Sequence, residues 1–358
     1  MKKEDFTYEK AGVSIDKASK AHQIIGDLIK RTYQNRKGKF GEVFGEYGHY
    51  AGLIDIGNDL CLALHVDGVG TKVLISQLMN KYDTVGIDLV AMHANDIICM
   101  GAEPVALEDY LAVEEADPEL IAELMKGIVA GAEIAQMAVI GGETATIPDI
   151  IKGEVKGKGY DLSAMSVGVV KKSDIITGEK IQPNDIIIGL ESSGIHSNGL
   201  TFARKVLFNI GKLTIEGNLP NCKIKVGEEL LRPTKIYSRE ILEIIQSTEV
   251  HGLAHITGGA FSKLNRLNFS KIGFNLTNLP EPPLIFKAIQ SIANVSDYEL
   301  YRTFNMGIGF CIITAESNYS DIKKICQKFK TKTYQIGNII PETGVFLTNS
   351  KGKKFQVI

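Results

Sequence analysis

Several features that mark special classes of protein are missing from this chain of 358 residues. Its five cysteines form no C-x-x-C pair, which disfavours zinc binding and a disulfide framework and fits a reducing cytoplasm best. The net charge of −2 gives no basic excess for nucleic acid or an anionic membrane. No apolar run approaches the ~20 residues that cross a bilayer. The charged N-terminus also lacks the apolar core of a secretory signal.

The composition is that of a globular chain, with 44% hydrophobic and 23% charged residues. Strand and helix patterns alternate along its whole length, and KKSDIITGEKIQPND resembles a linker with a turn. We therefore predict an α/β fold of the α+β type, with two mixed α/β domains at residues 1–170 and 171–358.

Glycine is abundant, at 36 of 358 residues or about 10%, against ~7% on average. Four glycine clusters follow predicted strands, precede predicted helices and lie beside Thr, Ser, Asn or His. The clusters are Gly68/Gly70, Gly141/Gly142, Gly194/Gly199 and Gly258/Gly259. Ordinary tight turns are one interpretation, but the recurrence favours anion-binding turns, because helix N-termini offer free N–H groups.

Periodicity predicts the elements around these clusters. Apolar spacing predicts a helix over residues 16–33, and the basic stretch 30–48 is typical of a mobile loop. LCLALHVD alternates and predicts a strand that places His65 and Asp67 on one side. A strong apolar stripe predicts a helix from Asp83 to Met100.

Further elements follow from local signals. VALEDYLAV predicts a strand, and MAVIGG predicts a short buried one. Asp117 is a good N-cap before a helix that we expect to end near Gln136, and Pro233 is expected to begin another helix.

The sequence DGVGTK has the composition of a phosphate loop, but its order is not that of a P-loop or of a dinucleotide fingerprint. Asp67 would repel a phosphate unless a cation lay between them. Mg²⁺ commonly binds one or two carboxylates together with nucleotide phosphates, and Lys72 would then contact a phosphate. A solvated Asp–Lys pair on a turn is the alternative.

Two further carboxylates are candidates for the same cation. Asp96 follows Asn95 on an otherwise apolar helix, where a buried charge needs hydrogen bonds or a metal. Asp88 lies roughly on the same side and is a possible contributor. Glu143 stands at a strand end in GGETATIP, where an exposed loop charge is the alternative.

A series of motifs resembles one enzyme family. In order they are YEKAGVSID, DGVGTK, DTVGIDLVAMHANDIICMGAEP, GGETATIP, SSGIHSNG, RPTKIY, HITGG and YRTFNMGIGF. Their order is similar to that of the aminoimidazole ribonucleotide synthetases, or phosphoribosylformylglycinamidine cyclo-ligases, from about Tyr8 to about Phe310. Asp96 to Pro104 also matches the D-x4-G-A-x-P signature of the wider ATP-binding superfamily.

The resemblance implies a reaction and its cofactors. ATP phosphorylates the formyl oxygen of formylglycinamidine ribonucleotide, and the resulting iminophosphate closes to aminoimidazole ribonucleotide in de novo purine synthesis. It implies Mg²⁺ and a cytoplasmic homodimer whose N-terminal sheets form a barrel-like interface, with the C-terminal domain as an α/β sandwich. The partner is the small-molecule substrate, without nucleic acid or membrane.

The resemblance also assigns residues. The metal would be held by Asp67, Asp96 and Glu143. The implied ATP-binding residues are Asp67, Gly68, Gly70, Thr71, Lys72, Asn95, Asp96, Gly142, Glu143 and Thr144. The expected substrate or phosphate contacts are Ser193, Gly194, His196, Ser197, Asn198, Thr257, Gly258 and Gly259. Catalytic roles are expected for Lys72 and Asp96. His255 stands beside the glycines of HITGG, which favours a substrate contact or proton donor, with a structural histidine as the alternative. Arg302 is a candidate phosphate contact or a structural ion pair.

Some positions depart from the family pattern. Ala260 stands where a third glycine is expected after HITGG, and Ala164-Met165 replaces a Gly-Phe pair. The alternatives are therefore another small-molecule phosphotransferase of the superfamily, or an inactive nucleotide-binding module that has lost its substrate pocket.

Overall fold

The computed structural model describes Thr7, Gly12 and residues 15–267, 271–349 and 352–357. The charged N-terminal segment and most of the YEKAGVSID motif lie outside the described residues. Within them, no helix is both long and apolar enough to cross a membrane.

The first half of the chain forms a sheet with helices on one face. Its strands are β1 (Glu42–Phe44), β2 (Gly52–Gly57), β3 (Leu60–Gly68), β4 (Glu103–Val113), β5 (Ala138–Thr146) and β6 (Tyr160–Lys171). Its helices are α1 (Ile15–Tyr33), α2 (Lys72–Met79), α3 (Val85–Ile98) and α4 (Pro118–Ala135). The strand order is β1-β2-β3-β6-β4-β5, and only the β4–β5 pair is parallel.

The second half forms a larger mixed sheet. Its strands are β7 (Ile186–Glu191), β8 (Gly252–His255), β9 (Gly273–Leu276), β10 (Ile308–Thr314), β11 (Thr333–Ile340), β12 (Gly344–Thr348) and β13 (Lys354–Gln356). The order is β13-β12-β9-β11-β7-β10-β8, with β12 and β9 parallel. Its α-helices are α5 (Leu200–Arg204), α6 (Val226–Leu231), α7 (Ser238–Ser247), α8 (Leu284–Ala293), α9 (Asp297–Thr303) and α10 (Tyr319–Lys328).

These two sheets confirm the prediction of two mixed α/β domains, while the exact boundary at residue 170 stays a prediction. Most predicted helices and strands are also confirmed. The helix predicted over 83–100 is α3, and Asp117 caps α4 by accepting hydrogen bonds from the N–H groups of Glu119 and Leu120.

Three local predictions were wrong. MAVIGG is not a buried strand, because β5 is an edge strand paired only with β4 and is exposed along most of its length. Pro233 does not begin a helix, since α7 begins five residues later at Ser238. The stretch 30–48 is not one continuous loop, because it contains the end of α1 and the short strand β1.

Helix α3 is enclosed on several sides. It packs against β3, β6 and β4 of the first sheet, against α4, and against α7 and β8 of the second half. Its approach to α4 depends on Gly86, where an added Cβ would lie 2.1 Å from the backbone nitrogen of Ile128. Almost every α3 residue is buried, so its polar side chains must find partners inside the protein.

The cap of α4 gives a stability prediction. Asp117→Ala removes a side chain that accepts from two N–H groups and pairs with Lys158, so unfolding free energy should fall by about 1–2 kcal/mol. Thr84 precedes α3 without a side-chain capping bond, and Thr84→Ala is the matched control with a change below about 0.5 kcal/mol. Urea unfolding followed by circular dichroism measures both, and equal losses would contradict the assignment of the cap.

Candidate functional site

The first group of polar side chains around α3 joins the two halves of the chain. The Asp88 Oδ1 atom accepts from Lys72 Nζ at 2.7 Å, from Thr234 N at 2.8 Å and from Thr234 Oγ1 at 2.5 Å. Ser197 Oγ donates to the same oxygen at 3.2 Å. Lys72 Nζ also donates to the Arg232 carbonyl at 2.5 Å. A fully buried ion pair is thus completed by donors and an acceptor from the second half.

This geometry corrects the predicted role of Lys72. The side chain has no exposed surface, and burial lowers the pKa of its ammonium group while Asp88 partly restores it. An ammonium group held between Asp88 and a carbonyl does not face a nucleotide. Lys72 is therefore a buried link between the two halves and not a phosphate contact.

The second group centres on Asp96. His255 Nδ1 lies 2.7 Å from Asp96 Oδ1, and His65 Nε2 lies 3.2 Å from Asp96 Oδ2. Burial alone would raise the pKa of Asp96, but the hydrogen bonds from His255 and His65 outweigh it and hold this pKa below its usual value. Asp96 is therefore an ionised carboxylate whose orientation is set from both sides.

The predicted catalytic role of His255 does not fit its environment. The residue is fully buried, its Nδ1 faces Asp96, and its Nε2 lies 3.3 Å from Asn95 Nδ2. With Nδ1 donating to the carboxylate, Nε2 accepts from the amide. Both ring nitrogens are thus engaged, and His255 orients Asp96 instead of meeting a substrate.

Asn95 is likewise engaged within the fold. Its amide nitrogen donates to the Lys235 carbonyl at 2.9 Å, and its amide oxygen accepts from Tyr237 N at 2.8 Å. These two bonds attach α3 to the segment before α7. Asn95 therefore binds the second half of the chain, and its amide is not directed at a nucleotide as expected.

Three side chains form a cluster that could hold a cation. One ligand atom from each of His65, Asp67 and Asp96 lies within 4.8 Å of the others. Burial raises the pKa of Asp67, and the negative charge of Asp96 raises it further. A divalent cation between the two carboxylates would remove this repulsion and stabilise the charged form of Asp67.

Glu143, the third predicted metal ligand, lies elsewhere. In the sheet, Asp67 pairs with Ala164 on β6, Ala164 with Asp109 on β4, and Asp109 with Gly142 on β5. Three strand spacings separate the two ends of this row, roughly 14 Å at ~4.8 Å per strand. Because Glu143 is the neighbour of Gly142, its side chain has the opposite orientation. One chain therefore does not bring Glu143 to Asp67 and Asp96.

The turn after β3 lies at the edge of this cluster. Gly68 N donates to Asp67 Oδ1 at 2.7 Å, and Gly70 has a φ of 69°, which glycine adopts without strain. Thr71 Oγ1 is 3.0 Å from Thr201 Oγ1 of the second half. By contrast, the predicted ATP residues Gly142 and Thr144 lie with Glu143 on the exposed strand β5.

A cavity of 420 Å³ opens beside His65. Its walls include His49, Tyr50, Val66 and Arg266. The Arg266 guanidinium stacks 4.8 Å from the centroid of the Tyr50 ring. The cluster therefore borders a space with a cation and an aromatic ring in its wall.

Lys263 adds a second positive charge near the carboxylates. Burial lowers the pKa of its ammonium group to about 8, with Arg266 lowering it further, while Asp96 and Asp67 act in the opposite direction. The charge of Lys263 therefore interacts with both carboxylates.

The SSGIHSNG loop is built into the interface between the halves. Ser193 Oγ donates to the Pro233 carbonyl at 2.6 Å, and Ser193 N donates to His196 Nε2 at 3.2 Å. His196 has a φ of 65°, and burial lowers the pKa of its imidazole well below the usual value. The loop is held by Asn305, whose amide donates to the Gly194 carbonyl at 2.9 Å. Its serine and histidine side chains are thus engaged within the fold, and Ser197 also links the loop to Asp88 of the first half.

The two predicted substrate loops do come together. An added Cβ at Gly258 would lie 2.7 Å from Asn198 Oδ1, so the glycine permits the HITGG turn to approach the SSGIHSNG loop. Thr257 closes this turn by accepting from Ala260 N at 2.7 Å, and Gly259 has a φ of 83°. Ala260 has a φ of 46°, a conformation that suits the glycine expected there.

Arg302 lies on α9, with its guanidinium 5.8 Å from the centroid of the Tyr298 ring. Three other residues at or near the predicted loops were missed, namely His65, Lys263 and Asn305. His65 shares a strand face with Asp67, which was a usable signal. Lys263 and Asn305 gave none, because only the tertiary fold brings their side chains to these positions.

Two family models match the chain. The model described as AIR synthase related protein, N-terminal domain, matches residues 48–170, and its C-terminal counterpart matches residues 182–349. A phosphoribosylformylglycinamidine cyclo-ligase of Methanocaldococcus jannaschii is 47% identical over 339 residues, covering 93% of this chain and 92% of that protein. The Pyrococcus furiosus protein of the same name is 44% identical over 349 residues, covering 98% and 99%.

Solved structures share the fold at low sequence identity. Thiamine-monophosphate kinase from Stenotrophomonas maltophilia is 19% identical with a TM-score of 0.59, covering 89% of this chain and 94% of its own. A hydrogenase maturation protein of E. coli is 15% identical with a TM-score of 0.60, covering 83% and 85%. These similarities concern the arrangement of the two domains.

The Lys72–Asp88 pair leads to a stability prediction. Lys72→Met should lower the unfolding free energy by about 3–5 kcal/mol, because Asp88 keeps its buried charge without a cation. Lys81→Met is the matched control, since Lys81 pairs with Asp83 at the surface and its loss should cost less than about 1 kcal/mol. Denaturant unfolding compares them. A loss for Lys72→Met no larger than for the control would contradict the structural role.

Proposed function

Because the chain belongs to the AIR synthase family, we propose that it is a phosphoribosylformylglycinamidine cyclo-ligase. It would use ATP to close formylglycinamidine ribonucleotide to aminoimidazole ribonucleotide, with release of ADP and phosphate, in purine biosynthesis. The observation that carries the proposal is the Asp67–Asp96 pair beside the glycine turn. Identities of 44% and 47% over almost the whole chain support a shared reaction.

The carboxylate pair suits a magnesium–nucleotide complex. Asp67 and Asp96 offer oxygen ligands, and Mg²⁺ usually binds one or two carboxylates and takes further oxygens from nucleotide phosphates. When bound, the cation would neutralise charge on the transferring phosphoryl group. Lys263 would contact the phosphates from the second half of the chain, and the turn Gly68–Thr71 would approach them with its backbone.

The reaction needs positioning more than covalent help from side chains. The formyl oxygen of the substrate attacks the γ-phosphorus of ATP, and the bond from that phosphorus to ADP breaks. The ring-forming nitrogen then attacks the formyl carbon, the carbon–oxygen bond to phosphate breaks, and a proton is released. Since nucleophile and leaving group belong to one molecule, correct orientation supplies much of the rate acceleration.

The two adjoining loops are the proposed substrate side of the site. Asn198, Thr257 and the Gly258–Gly259 turn lie beside the end of β8, whose His255 holds Asp96. Their backbone N–H groups and short side chains are suited to the ribose phosphate of the substrate. Asp96 stands between these loops and Asp67, which fits transfer of a phosphoryl group between ATP and the substrate.

A homodimer is part of the proposal. The sheet face opposite α3 carries exposed apolar side chains at Val66, Val105, Tyr110, Ile140 and Met165. Val66 is 72% exposed and pairs directly with Met165 across β3 and β6. A second copy of the chain packing on this face would bury these side chains and give the barrel-like interface that the family resemblance implies. Glu143 lies on the same face, so any role in catalysis would be at this interface.

The activity prediction uses two buried Asp–His pairs. Asp96→Asn should lower kcat/KM about a hundred-fold or more while the fold is retained, because the amide binds the cation poorly. The matched control is Asp185→Asn, whose carboxylate is 2.7 Å from His251 Nδ1, and it should retain activity. The assay supplies ATP, Mg²⁺ and formylglycinamidine ribonucleotide and measures aminoimidazole ribonucleotide.

The same assay separates the alternatives. Nucleotide binding without product by the wild-type protein would reject the enzyme proposal in favour of a nucleotide-binding module. ADP formation with a different acceptor and no ring closure would indicate another phosphotransferase. Unchanged turnover in Asp96→Asn would reject the assignment of the metal ligand alone.

The dimer leads to a prediction on association. The wild-type protein should sediment as a dimer, and Ile140→Glu should shift it to the monomer, because a charge would be buried in an apolar contact. Val129→Glu is the control, since Val129 is similarly exposed but lies on α4. Analytical ultracentrifugation distinguishes the two species, and a monomeric wild-type protein would reject the proposed interface.

A further inference from the structure

Asn305 is a buried residue that joins two of the motifs found in the sequence. It belongs to YRTFNMGIGF, lies between α9 and β10, and is only 3% exposed. Its amide oxygen accepts from Gly307 N at 2.9 Å. Its amide nitrogen donates to the carbonyls of Gly194 at 2.9 Å and of Ile195 at 3.3 Å. One side chain therefore connects the turn before β10 to the SSGIHSNG loop.

The orientation of this amide follows from its partners. The N–H of Gly307 can only donate and the two loop carbonyls can only accept, so the amide oxygen and nitrogen cannot be exchanged. The Ser192 hydroxyl adds a contact of 3.2 Å to the amide oxygen. A carboxylate of the same shape would keep the contacts to the oxygen and lose both donors to the loop.

The SSGIHSNG loop needs such support because its backbone is strained. His196 has a φ of 65°, which is uncommon for a residue other than glycine. Residues in such conformations persist where the surrounding structure fixes them. The carbonyl of Ile195 belongs to the peptide group that precedes His196, so the bond from Asn305 holds the chain directly before the strained residue.

The position of His196 in turn determines where Asn198 lies. An added Cβ at Gly258 would be 2.7 Å from Asn198 Oδ1, so the loop and the HITGG turn fit together closely. Asn198 and this turn are the groups proposed above to bind the ribose phosphate. A change of backbone conformation at His196 would move Asn198 away from the turn.

We propose that Asn305 is a positioning residue for the substrate and holds the SSGIHSNG loop in the conformation that binds the ribose phosphate. Its own side chain is buried, so it acts through the loop and does not touch the substrate. The inference rests on the proposed function, because the same loop is the proposed substrate side of the site. It implies that substrate binding depends on Asn305, whereas nucleotide binding beside Asp67 and Asp96 does not.

Asn305→Asp is the decisive variant, since it keeps the acceptor for Gly307 N and removes both donors to the loop. The KM for formylglycinamidine ribonucleotide should rise about ten-fold or more, as expected for the loss of one or two buried hydrogen bonds. The KM for ATP should change less than about three-fold. Without ligands, amide hydrogen exchange measured by mass spectrometry should become faster in the peptide 192–199.

Asn305→Ser separates the loss of these bonds from direct repulsion between a new carboxylate and the substrate phosphate. It introduces no charge, and its hydroxyl is too short to replace the amide nitrogen at both carbonyls. It should show the same selective rise in the KM for the substrate. This variant also serves as the test if Asn305→Asp does not fold, which circular dichroism checks.

Asn318→Asp is the matched control, because the Asn318 amide also donates to two acceptors, the Glu249 carbonyl at 3.0 Å and Thr314 Oγ1 at 2.8 Å. Asn318 follows β10 whereas Asn305 precedes it, so the control lies at the other end of this strand from the substrate loops. Its two KM values and its exchange in 192–199 should equal those of the wild type. In the Asn305 variants, an unchanged KM for the substrate, or equal rises for substrate and ATP, would overturn the positioning role.

The two measurements separate this inference from the proposed function. Product formation by the wild type, with an unchanged substrate KM in the Asn305 variants, would reject the positioning role and retain the cyclo-ligase. Faster exchange of 192–199 in Asn305→Asp, when the wild type forms no product, would reject the cyclo-ligase and with it the substrate role. Asn305 would then be a support of the loop alone.

Discussion

The structure depends on one constraint, which is that the polar side chains of α3 are buried and must all be paired. The helix lies between the first sheet and the second half of the chain, so water cannot solvate Asp88, Asn95 or Asp96. Each has at least one partner in the second half, at Thr234, the Lys235–Tyr237 segment and His255 respectively. The requirement to pair buried polar groups thus fixes how the two domains meet.

Sequence patterns predicted most helices and strands correctly, but they did not predict what packs around each one. The alternation of LCLALHVD correctly placed His65 and Asp67 on the same side of β3, and periodicity located α3. The apolar stripe of α3 indicated one buried face, whereas the helix is enclosed on nearly every side. Periodicity identifies the apolar residues of α3 that face the first sheet. It does not show that the second half of the chain packs over the polar residues of the same helix. The prediction of a buried strand at MAVIGG was wrong for a related reason, because an apolar strand can lie at the exposed edge of a sheet.

The roles predicted for the site residues stay predictions, but the structure shows which of these residues lie together. Asp67 and Asp96 lie together because α3 packs directly against β3, with only α2 between them in the sequence. Lys72 and His255 were predicted to be catalytic, yet both side chains bind groups inside the fold. Lys72 donates to the Arg232 carbonyl and His255 lies against Asn95, each about 160 residues away in the sequence. Lys263 comes close enough for its charge to interact with both carboxylates only in the folded chain, because α3 packs against β8.

The pairing of α3 also has a consequence for how the protein unfolds. If the second half separated, Asp88 and Lys72 would lose Thr234, Ser197 and the Arg232 carbonyl, and the apolar surface of α3 would be exposed to water. Neither half would then keep the environment that stabilises its core. Separation of the two domains should therefore be costly, and their unfolding should be coupled through α3. Two sheets with separate strand orders are thus linked energetically by one helix.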